Sequence, residues 1–309
     1  MTDTLTAGPP PGTGLPATPI DLSPKPRPGE AVIKLVLRLS AILSVAIAAG
    51  IVIALVRPVI DFFQDVPVGD FFSTDGEFAV LPLLSGTLVV TAIALLVAVP
   101  LGLGAAMYLA EYAGPRTRRV LKPTVELLAG VPSVVYGFFV IAFVTPTLLQ
   151  DILSMDVNFT NALGAGLVLG VMIIPTVASL SEDAMSAVPQ TLRQGSFAMC
   201  ANRMQTTLRV VLPAALSGIA AAVVLGMSRA IGETMIVAIG AGAQPNLSLD
   251  VREGMQTMTG RMAQLAGGEN PVGSTSYNTL FAIGLLLFVV TLVINVISIA
   301  LVRRFRQVY

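Results

Sequence analysis

Two charged residues, Arg229 and Glu233, stand four positions apart inside a long apolar stretch. A charge at the centre of a lipid bilayer costs about 2.5 to 3.5 kcal/mol, so it needs a compensating partner. In a continuous helix the two side chains share one face and can form an ion pair. Arg229 also offers a planar fork of donors that fits an oxyanion. The pair predicts either a structural ion pair or a contact for an anion that crosses the membrane, and both remain open.

Three hydroxyl groups are weaker candidates for the same chemistry. Ser133, Tyr136 and Ser228 could each donate a hydrogen bond to a passing oxyanion. Hydroxyls inside membrane helices commonly bind a neighbouring helix or a backbone carbonyl instead, so they rank below Arg229.

Glu126 is a further acidic residue beside an apolar run, and Lys122 precedes it by four positions. At this spacing the two side chains lie on one helix face. We therefore predict an interfacial ion pair between them rather than a role in transport.

Composition excludes several kinds of chemistry. The 309 residues include no histidine and one cysteine, which removes the commonest general base and metal ligand and any intramolecular disulfide. The phosphate-loop motif G-x-x-x-x-G-K-[ST] is absent, so energy for any active process must come from a partner or a gradient. The net charge is zero and no basic stripe favours a nucleic-acid partner. We expect no catalytic residue, no metal site and no cofactor.

Hydropathy places the chain in membrane lipid. Hydrophobic residues make up 54% and charged residues 12%, with a mean hydropathy of +0.83, which is more apolar than a soluble core requires. Six apolar runs can each cross a hydrocarbon core, which takes about 20 helical residues, and they lack the alternating polarity of barrel strands. They predict an all-α integral membrane protein with six transmembrane helices. The runs are Val32–Val56, Leu83–Ala110, Pro123–Leu149, Leu163–Leu180, Val210–Gly242 and Thr279–Val302.

Basic residues set the predicted orientation, because Lys and Arg are retained on the cytoplasmic side of short loops. They cluster before the first run, between the second and third, between the fourth and fifth, and after the last, whereas the opposite loops are acidic. Both termini are therefore expected in the cytoplasm. The predicted organisation is a disordered cytoplasmic tail at 1–30, a first transmembrane helix at 31–58, an extracytoplasmic loop at 59–80, a transmembrane domain at 81–303 and a cytoplasmic C-terminus at 304–309.

The cytoplasmic connection at 181–209 is long for a helical bundle, where about 2 to 8 residues usually suffice. Its apolar residues recur at helical spacing, which predicts two short amphipathic helices on the membrane surface. Proline is tolerated in a first helical turn, so we expect the second of them to begin at Pro189. Asn202 is expected in a turn, and Pro213 is expected to kink or restart the chain.

Part of this connection resembles the EAA loop of the permeases of ATP-binding cassette (ABC) importers. That pattern consists of E-A-A, three residues, G, nine residues and I-x-L-P. The spacing fits throughout, but the first three positions and the glycine depart from it. Cys200 in the glycine's place would be strained at positive φ, so we expect the turn to move to Asn202 or to change geometry. The matching segment comprises Gln194, Gly195, Ser196, Phe197, Cys200, Val210, Leu212 and Pro213.

Three more segments are similar to the phosphate importer permeases, in particular their PstC-type subunit. They are LPLLSGT at 81–87, LAGVPSVVYGF at 128–138 and SRAIGETM at 228–235. The resemblance covers most of 81–303. It implies a type I ABC importer (MetI-like) permease fold in a bacterial plasma membrane.

The same resemblance implies partners and roles. They are a PstA-like permease subunit, a dimer of cytoplasmic ATPase subunits that docks on the EAA-like loop, and an extracytoplasmic phosphate-binding protein. Import would proceed by alternating access when ATP closes the ATPase dimer. Arg229 would neutralise part of the anion's charge, and Glu233 would restrain Arg229 so that the anion is released.

Other functions fit parts of the sequence. Composition does not distinguish phosphate from sulfate or molybdate. A gradient-driven secondary transporter also places charges at mid-membrane, but it often contains internal repeats, and none is evident here. A channel or passive scaffold does not need a helical connection at 181–209, whereas an ATPase-coupled permease does.

Overall fold

Helices account for the regular secondary structure of residues 28–305, the part of the chain that the computed structural model describes. Within this part, six helical stretches are long and apolar enough to cross a membrane, which confirms the all-α class and the number of spans. The predicted tail lies outside the described residues up to position 27, and 28–30 already belong to the first helix. The spans are Val32–Asp65, Leu81–Tyr112, Ser133–Ile152, Ala162–Ser186, Arg203–Ile231 and Thr275–Ala300.

The helices are numbered in chain order. They are α1 (Pro28–Asp65), α2 (Val68–Phe71), α3 (Leu81–Met107), α4 (Pro115–Leu128), α5 (Ser133–Phe139), α6 (Ala162–Ser186), α7 (Gln190–Ala198), α8 (Arg203–Thr206), α9 (Leu212–Ile231), α10 (Met235–Gly240), α11 (Met258–Gly267) and α12 (Thr275–Phe305). Three π-helical segments extend them, and such segments frequently occur at functional sites. These segments are Tyr108–Tyr112 after α3, Val140–Ile152 after α5, and Thr207–Val211 between α8 and α9.

The first helix is longer than predicted. Residues 28–51 belong to one compact unit, and a second unit begins at Val52. In the second unit α1 continues to Asp65, and α2 follows shortly after it. α1 therefore ends at Asp65 rather than at the predicted 58, and the segment 59–80 contains the end of α1 and the whole of α2.

An aromatic cluster explains this extension of α1. Phe62 is fully buried, and its ring meets the rings of Phe63, Phe71 and Phe78 edge to face. Edge-to-face aromatic pairs add about 0.5 to 1.5 kcal/mol beyond the burial of their surface. This packing keeps the chain helical beyond the stretch that hydropathy alone identified.

The central helix of the second unit is α6, which packs against α3 and α9. Glycines allow the close contact with α3. A Cβ atom at Gly166 would lie 2.7 Å from the side chain of Ile93, and one at Gly170 would lie 2.8 Å from the carbonyl oxygen of Ala94. Small residues that let helix backbones approach are typical of membrane bundles.

The third span begins later than predicted. The run expected at Pro123–Leu149 contains the end of α4, a short break, and a span that starts at Ser133. Pro132 lies in that break, and a proline disfavours helical backbone in the residue before it. The amphipathic α4 therefore lies outside the membrane-spanning segments, and the predicted continuous helix is wrong.

The fifth apolar run is also divided. The helix expected at Val210–Gly242 ends at Ile231, and α10 begins only at Met235. Glycine is a poor residue for a helix interior, and Gly232 caps the end of α9. We call Gly232–Thr234 the α9–α10 break.

At its other end the fifth span shows no new start at Pro213. The chain is helical without interruption from Arg203 to Ile231. The π-helical segment Thr207–Val211 shifts the hydrogen-bond register just before the proline, whose ring nitrogen has no hydrogen to donate. Of the two alternatives expected at Pro213, a kink or a restart, the restart is therefore wrong.

The connection between α6 and α9, residues 187–211, contains one separate short helix rather than two. α6 continues to Ser186, and α7 starts directly after Pro189, as predicted. The predicted turn residue Asn202 caps α8: its Oδ1 accepts the Gln205 N–H at 2.8 Å, and Gln205 Oε1 accepts the Asn202 N–H at 3.0 Å. The first of the two expected helices is not separate, because residues 181–186 form the end of α6.

Candidate functional site

The α9–α10 break contains the charged residues that the sequence singled out. Arg229 lies in the last turn of α9 with an exposed side chain, and Glu233 lies in the break and is half-buried. Glu233 Oε1 accepts the backbone N–H of Met235 at 3.1 Å and that of Ile236 at 3.4 Å. Its carboxylate therefore satisfies two donors in the first turn of α10, as capping side chains do.

The ion pair between Arg229 and Glu233, one of the two alternatives that the sequence left open, does not form among the described residues. Among the described residues neither side chain takes part in a salt bridge. The prediction assumed a continuous helix, in which positions four apart share a face. α9 ends at Ile231, so the carboxylate no longer follows the helical rotation and points towards α10 instead.

Threonine hydroxyls link the break to α11, and α11 to α3. Thr259, at the start of α11, donates from Oγ1 to the carbonyl oxygen of Glu233 at 2.6 Å. The Met258 N–H donates to Thr87 Oγ1 of α3 at 3.0 Å. The space enclosed among these groups is too small for a water molecule.

The three hydroxyl candidates are mostly engaged by protein. Tyr136 donates from its OH to the carbonyl oxygen of Leu128 at 2.8 Å, at the end of α4. Ser228 Oγ lies 2.9 Å from the carbonyl oxygen of Val224 and 2.6 Å from Asn295 Oδ1, which links α9 to α12. Ser133 is half-buried at the start of α5. Of the predicted pathway residues, Arg229 is the one whose polar group is both charged and exposed.

The EAA-like residues divide into two groups. Four are exposed around α7 and the turn after it, namely Gln194, Gly195, Phe197 and Cys200. The other four are half-buried, namely Ser196 of α7 and, at the entry to α9, Val210, Leu212 and Pro213. Ser196 Oγ lies 2.9 Å from Thr206 Oγ1, and this hydrogen bond joins α7 to α8.

Cys200 takes the glycine's conformation. Its φ is +57°, so the turn neither moves to Asn202 nor changes its geometry, and that expectation is wrong. The Cys200 N–H donates to the Phe197 carbonyl at 2.9 Å, and the Ala201 N–H donates to the Ser196 carbonyl at 3.2 Å. This is the Schellman pattern of a helix C-terminus, which satisfies two otherwise free carbonyls at the cost of a left-handed residue.

Sequence reasoning missed the role of Arg193, which it treated as a cytoplasmic cation on the polar face of a short helix. The side chains of Arg193 and Glu111 are each 8% exposed and pair at 2.8 Å between Nη2 and Oε1. Arg193 also donates to the carbonyl oxygens of Met185, at 2.8 Å, and of Val188. The one available signal was an arginine within an amphipathic helix next to apolar residues that bury its stem.

A second buried centre joins α4 to α6. Glu182 is fully buried and pairs with Arg118 and, at 2.6 Å, with Lys122. Lys122 also pairs with Asp183 at 2.7 Å. Hydrogen bonds to Asp183 and then to Glu182 raise the pKa of Lys122 above its ordinary value.

The predicted pair of Lys122 with Glu126 is therefore wrong. Lys122 reaches across to the carboxylates of Glu182 and Asp183 on α6 instead. Glu126 instead accepts a hydrogen bond from Ser179 Oγ at 3.3 Å.

Similarity to known proteins is extensive. A family model described as "Binding-protein-dependent transport system inner membrane component" matches residues 98–307. The chain is 38% identical over 218 residues to the "Probable ABC transporter permease protein YqgH" of Bacillus subtilis (strain 168), covering 71% of this chain and 70% of that protein. It is 35% identical over 257 residues to the "Phosphate transport system permease protein PstC 1" of Mycobacterium tuberculosis (strain ATCC 25618 / H37Rv), covering 77% and 74%.

Solved structures share the fold. A bacterial alginate ABC transporter matches with a TM-score of 0.65 and 16% identity over 90% of this chain and 96% of that one. The MetNI methionine ABC transporter, in an inward-facing conformation, matches with a TM-score of 0.55 and 21% identity over 74% and 94%. These matches confirm the predicted type I (MetI-like) permease fold.

Proposed function

We propose that this chain is a permease subunit of an ATP-driven ABC importer for inorganic phosphate. The chain belongs to the family of binding-protein-dependent transport system inner membrane components. The observation that carries the proposal is the 35% identity to a phosphate transport system permease over 77% of this chain. The chain is a multi-pass membrane protein, and ATP hydrolysis is assigned to a partner subunit.

The proposed assembly pairs this chain with a PstA-like permease subunit. A dimer of cytoplasmic ATPase subunits and an extracytoplasmic phosphate-binding protein complete it. The charge asymmetry of the loops supports an orientation with both termini and the α6–α9 connection in the cytoplasm.

The ATPase is proposed to dock on the surface around α7. Phe197 is 47% exposed and Met199 is 83% exposed, and both lie in the α6–α9 connection rather than on a membrane span. Large apolar side chains clustered outside the membrane commonly mark a protein interface. Gln194 and Cys200 lie on the same exposed segment, where they take the places of two EAA-motif residues.

The anion pathway is proposed to pass Arg229. Its exposed guanidinium lies near the α9–α10 break and has no ion-pair partner among residues 28–305. A charge within a span needs compensation, and in the assembled importer the partner permease and the passing anion supply it. Glu233 contributes by fixing the start of α10, and therefore the position of the break, rather than by pairing with Arg229.

Uptake of labelled phosphate tests the proposal, in cells that lack this subunit and are complemented with the wild-type or the Arg229→Ala chain. We expect wild-type uptake to depend on ATP and to be inhibited by excess phosphate, but not by sulfate or molybdate. Arg229→Ala should abolish uptake while co-purification with the ATPase persists. The exposed Arg119 of α4 provides a control, because Arg119→Ala removes a cation elsewhere.

Three outcomes would contradict the proposal. Inhibition by sulfate or molybdate rather than phosphate would assign another oxyanion. Uptake by the isolated chain, driven by an ion gradient, would indicate a secondary transporter. Undiminished uptake by Arg229→Ala would remove Arg229 from the pathway.

A further inference from the structure

We propose that Arg193 and Glu111 form a positioning pair that transmits the movement of α7 to α3 and α6 together. The inference rests on the proposed docking of an ATPase on α7. It assigns a specific residue pair to the step between ATPase closure and rearrangement of the spans.

The geometry connects three elements through one side chain. Arg193 belongs to α7, and Glu111 lies in the π-helical segment that ends the span containing α3. The Arg193 Nε and Nη2 atoms lie 3.2 Å and 2.8 Å from Glu111 Oε1. The same guanidinium donates to the carbonyls of Met185, in the last turn of α6, and of Val188, just beyond that helix. A single planar group therefore fixes α7 to the ends of two membrane helices.

Apart from Arg193, few residues of α7 are buried. Within its range Gln190–Ala198, Arg193 is the one buried residue, and Leu192 and Ser196 are half-buried. The cross-link from Ser196 to Thr206 joins α7 to α8 instead. The polar connection of α7 to α3 and α6 therefore depends on the Arg193 guanidinium.

The chemistry of the pair suits the transmission of a directed movement. Contact between apolar side chains is non-directional, so apolar surfaces can slide past one another. A guanidinium with its donors fixed on a carboxylate and two carbonyls resists both sliding and rotation. Breaking it would leave a buried charge unpaired, so the contact persists while α7 moves.

The test measures phosphate imported per ATP hydrolysed by the complete complex in proteoliposomes. The variants are Arg193→Met, Arg193→Lys and Glu111→Gln, with Arg119→Met as the matched control on α4. Co-purification with the ATPase is measured for each, because it reports docking independently of coupling. The wild-type complex is measured first, since failure of ATP-dependent uptake there would concern the proposed function and not this pair.

We expect Arg193→Met and Glu111→Gln to retain the ATPase and basal ATP hydrolysis while the ratio of phosphate to ATP falls roughly tenfold. Arg193→Lys should give an intermediate ratio, because an ammonium reaches Glu111 but lacks the fork that also binds α6. Arg119→Met should keep the wild-type ratio. An unchanged ratio in assembled Arg193→Met or Glu111→Gln complexes would overturn the proposal. Loss of assembly in all three variants would also overturn it, because the pair would then serve folding alone.

Discussion

The charged residues at the end of α6 and in α7 differ from those at the α9–α10 break in their burial and in their bonding partners. At the proposed cytoplasmic end, Glu182 and Arg193 are buried, and each is held by charged or backbone groups from another element. At the α9–α10 break, Arg229 is exposed, and Glu233 binds the backbone of α10. The residue types are the same, but their burial and partners differ.

This difference separates residues that hold geometry from residues available to a ligand. A buried charge must be paired, so the groups at the cytoplasmic end are fixed in one arrangement. An exposed cation can form new contacts without first breaking an ion pair. The comparison therefore supports the proposed force transmission in the first region and the proposed anion contact in the second.

Glu182→Gln should give the largest loss of stability. Breaking a buried pair by removing one partner costs up to about 5 kcal/mol, but Arg118 and Lys122 are partly exposed and can be rehydrated, so we expect about 3 kcal/mol. The midpoint of thermal unfolding in detergent measures the change. Glu126→Gln is the control, because its carboxylate is exposed, and we expect less than about 0.5 kcal/mol. Equal shifts in the two variants would contradict the assigned difference.

A smaller loss is expected at the break. Glu233→Ala removes the acceptor for two amides of α10 and should destabilise the protein by about 1 kcal/mol. Glu233→Gln keeps an acceptor oxygen and should cost less. Hydrogen exchange of the Met235 and Ile236 amides tests this order. If both variants accelerate exchange equally, charge and not hydrogen bonding would be the stabilising property.

Cys200→Gly should stabilise the fold, because the left-handed conformation costs about 1 kcal/mol or more for a residue with a Cβ atom. Part of this gain is offset by the greater freedom of glycine in the unfolded chain. Thermal unfolding in detergent measures the net effect. Cys200→Ala keeps the Cβ atom and should show no gain. Equal behaviour of the two variants would show that strain at this turn contributes nothing.

Gly195→Ala should also stabilise α7, by about 0.5 kcal/mol, because alanine is the better helix former. A Cβ atom at Gly195 would meet no other atom within 4 Å. Thermal unfolding of the isolated chain measures the gain, and co-purification checks that ATPase docking is unchanged. A destabilised variant would indicate a contact that the free chain does not contain.

The smallest effect appears only in alkaline solution. The pKa of Lys122 is raised above its ordinary 10.5, so its ion pairs contribute fully below that pH and are lost as the pH rises through the folded-state pKa. The unfolding midpoint of the wild type should therefore fall above about pH 10.5 more than that of Lys122→Arg, whose guanidinium stays charged. Parallel curves for the two proteins would exclude Lys122 as the cause.

The sequence predicted the spans well because a long apolar run has few alternatives in lipid. It placed the starts of α7 and α8 correctly, since Pro189 and Asn202 act locally. It failed where a helix ended inside an apolar run, at Pro132 and Gly232, because hydropathy contains no information on backbone breaks. For the same reason the sequence did not show that Arg229 and Glu233 are too differently oriented to form an ion pair.

The amino-acid sequence alone determined the membrane class, the six spans and the position of the EAA-like segment, because these depend on composition and on neighbours along the chain. Tertiary structure alone decided which charges are paired. Arg193 and Glu111 are 82 positions apart, and Glu182 is 64 positions from Arg118. The packing of α3, α4 and α6 brings such partners together, and the spacing of residues along the chain does not specify that packing.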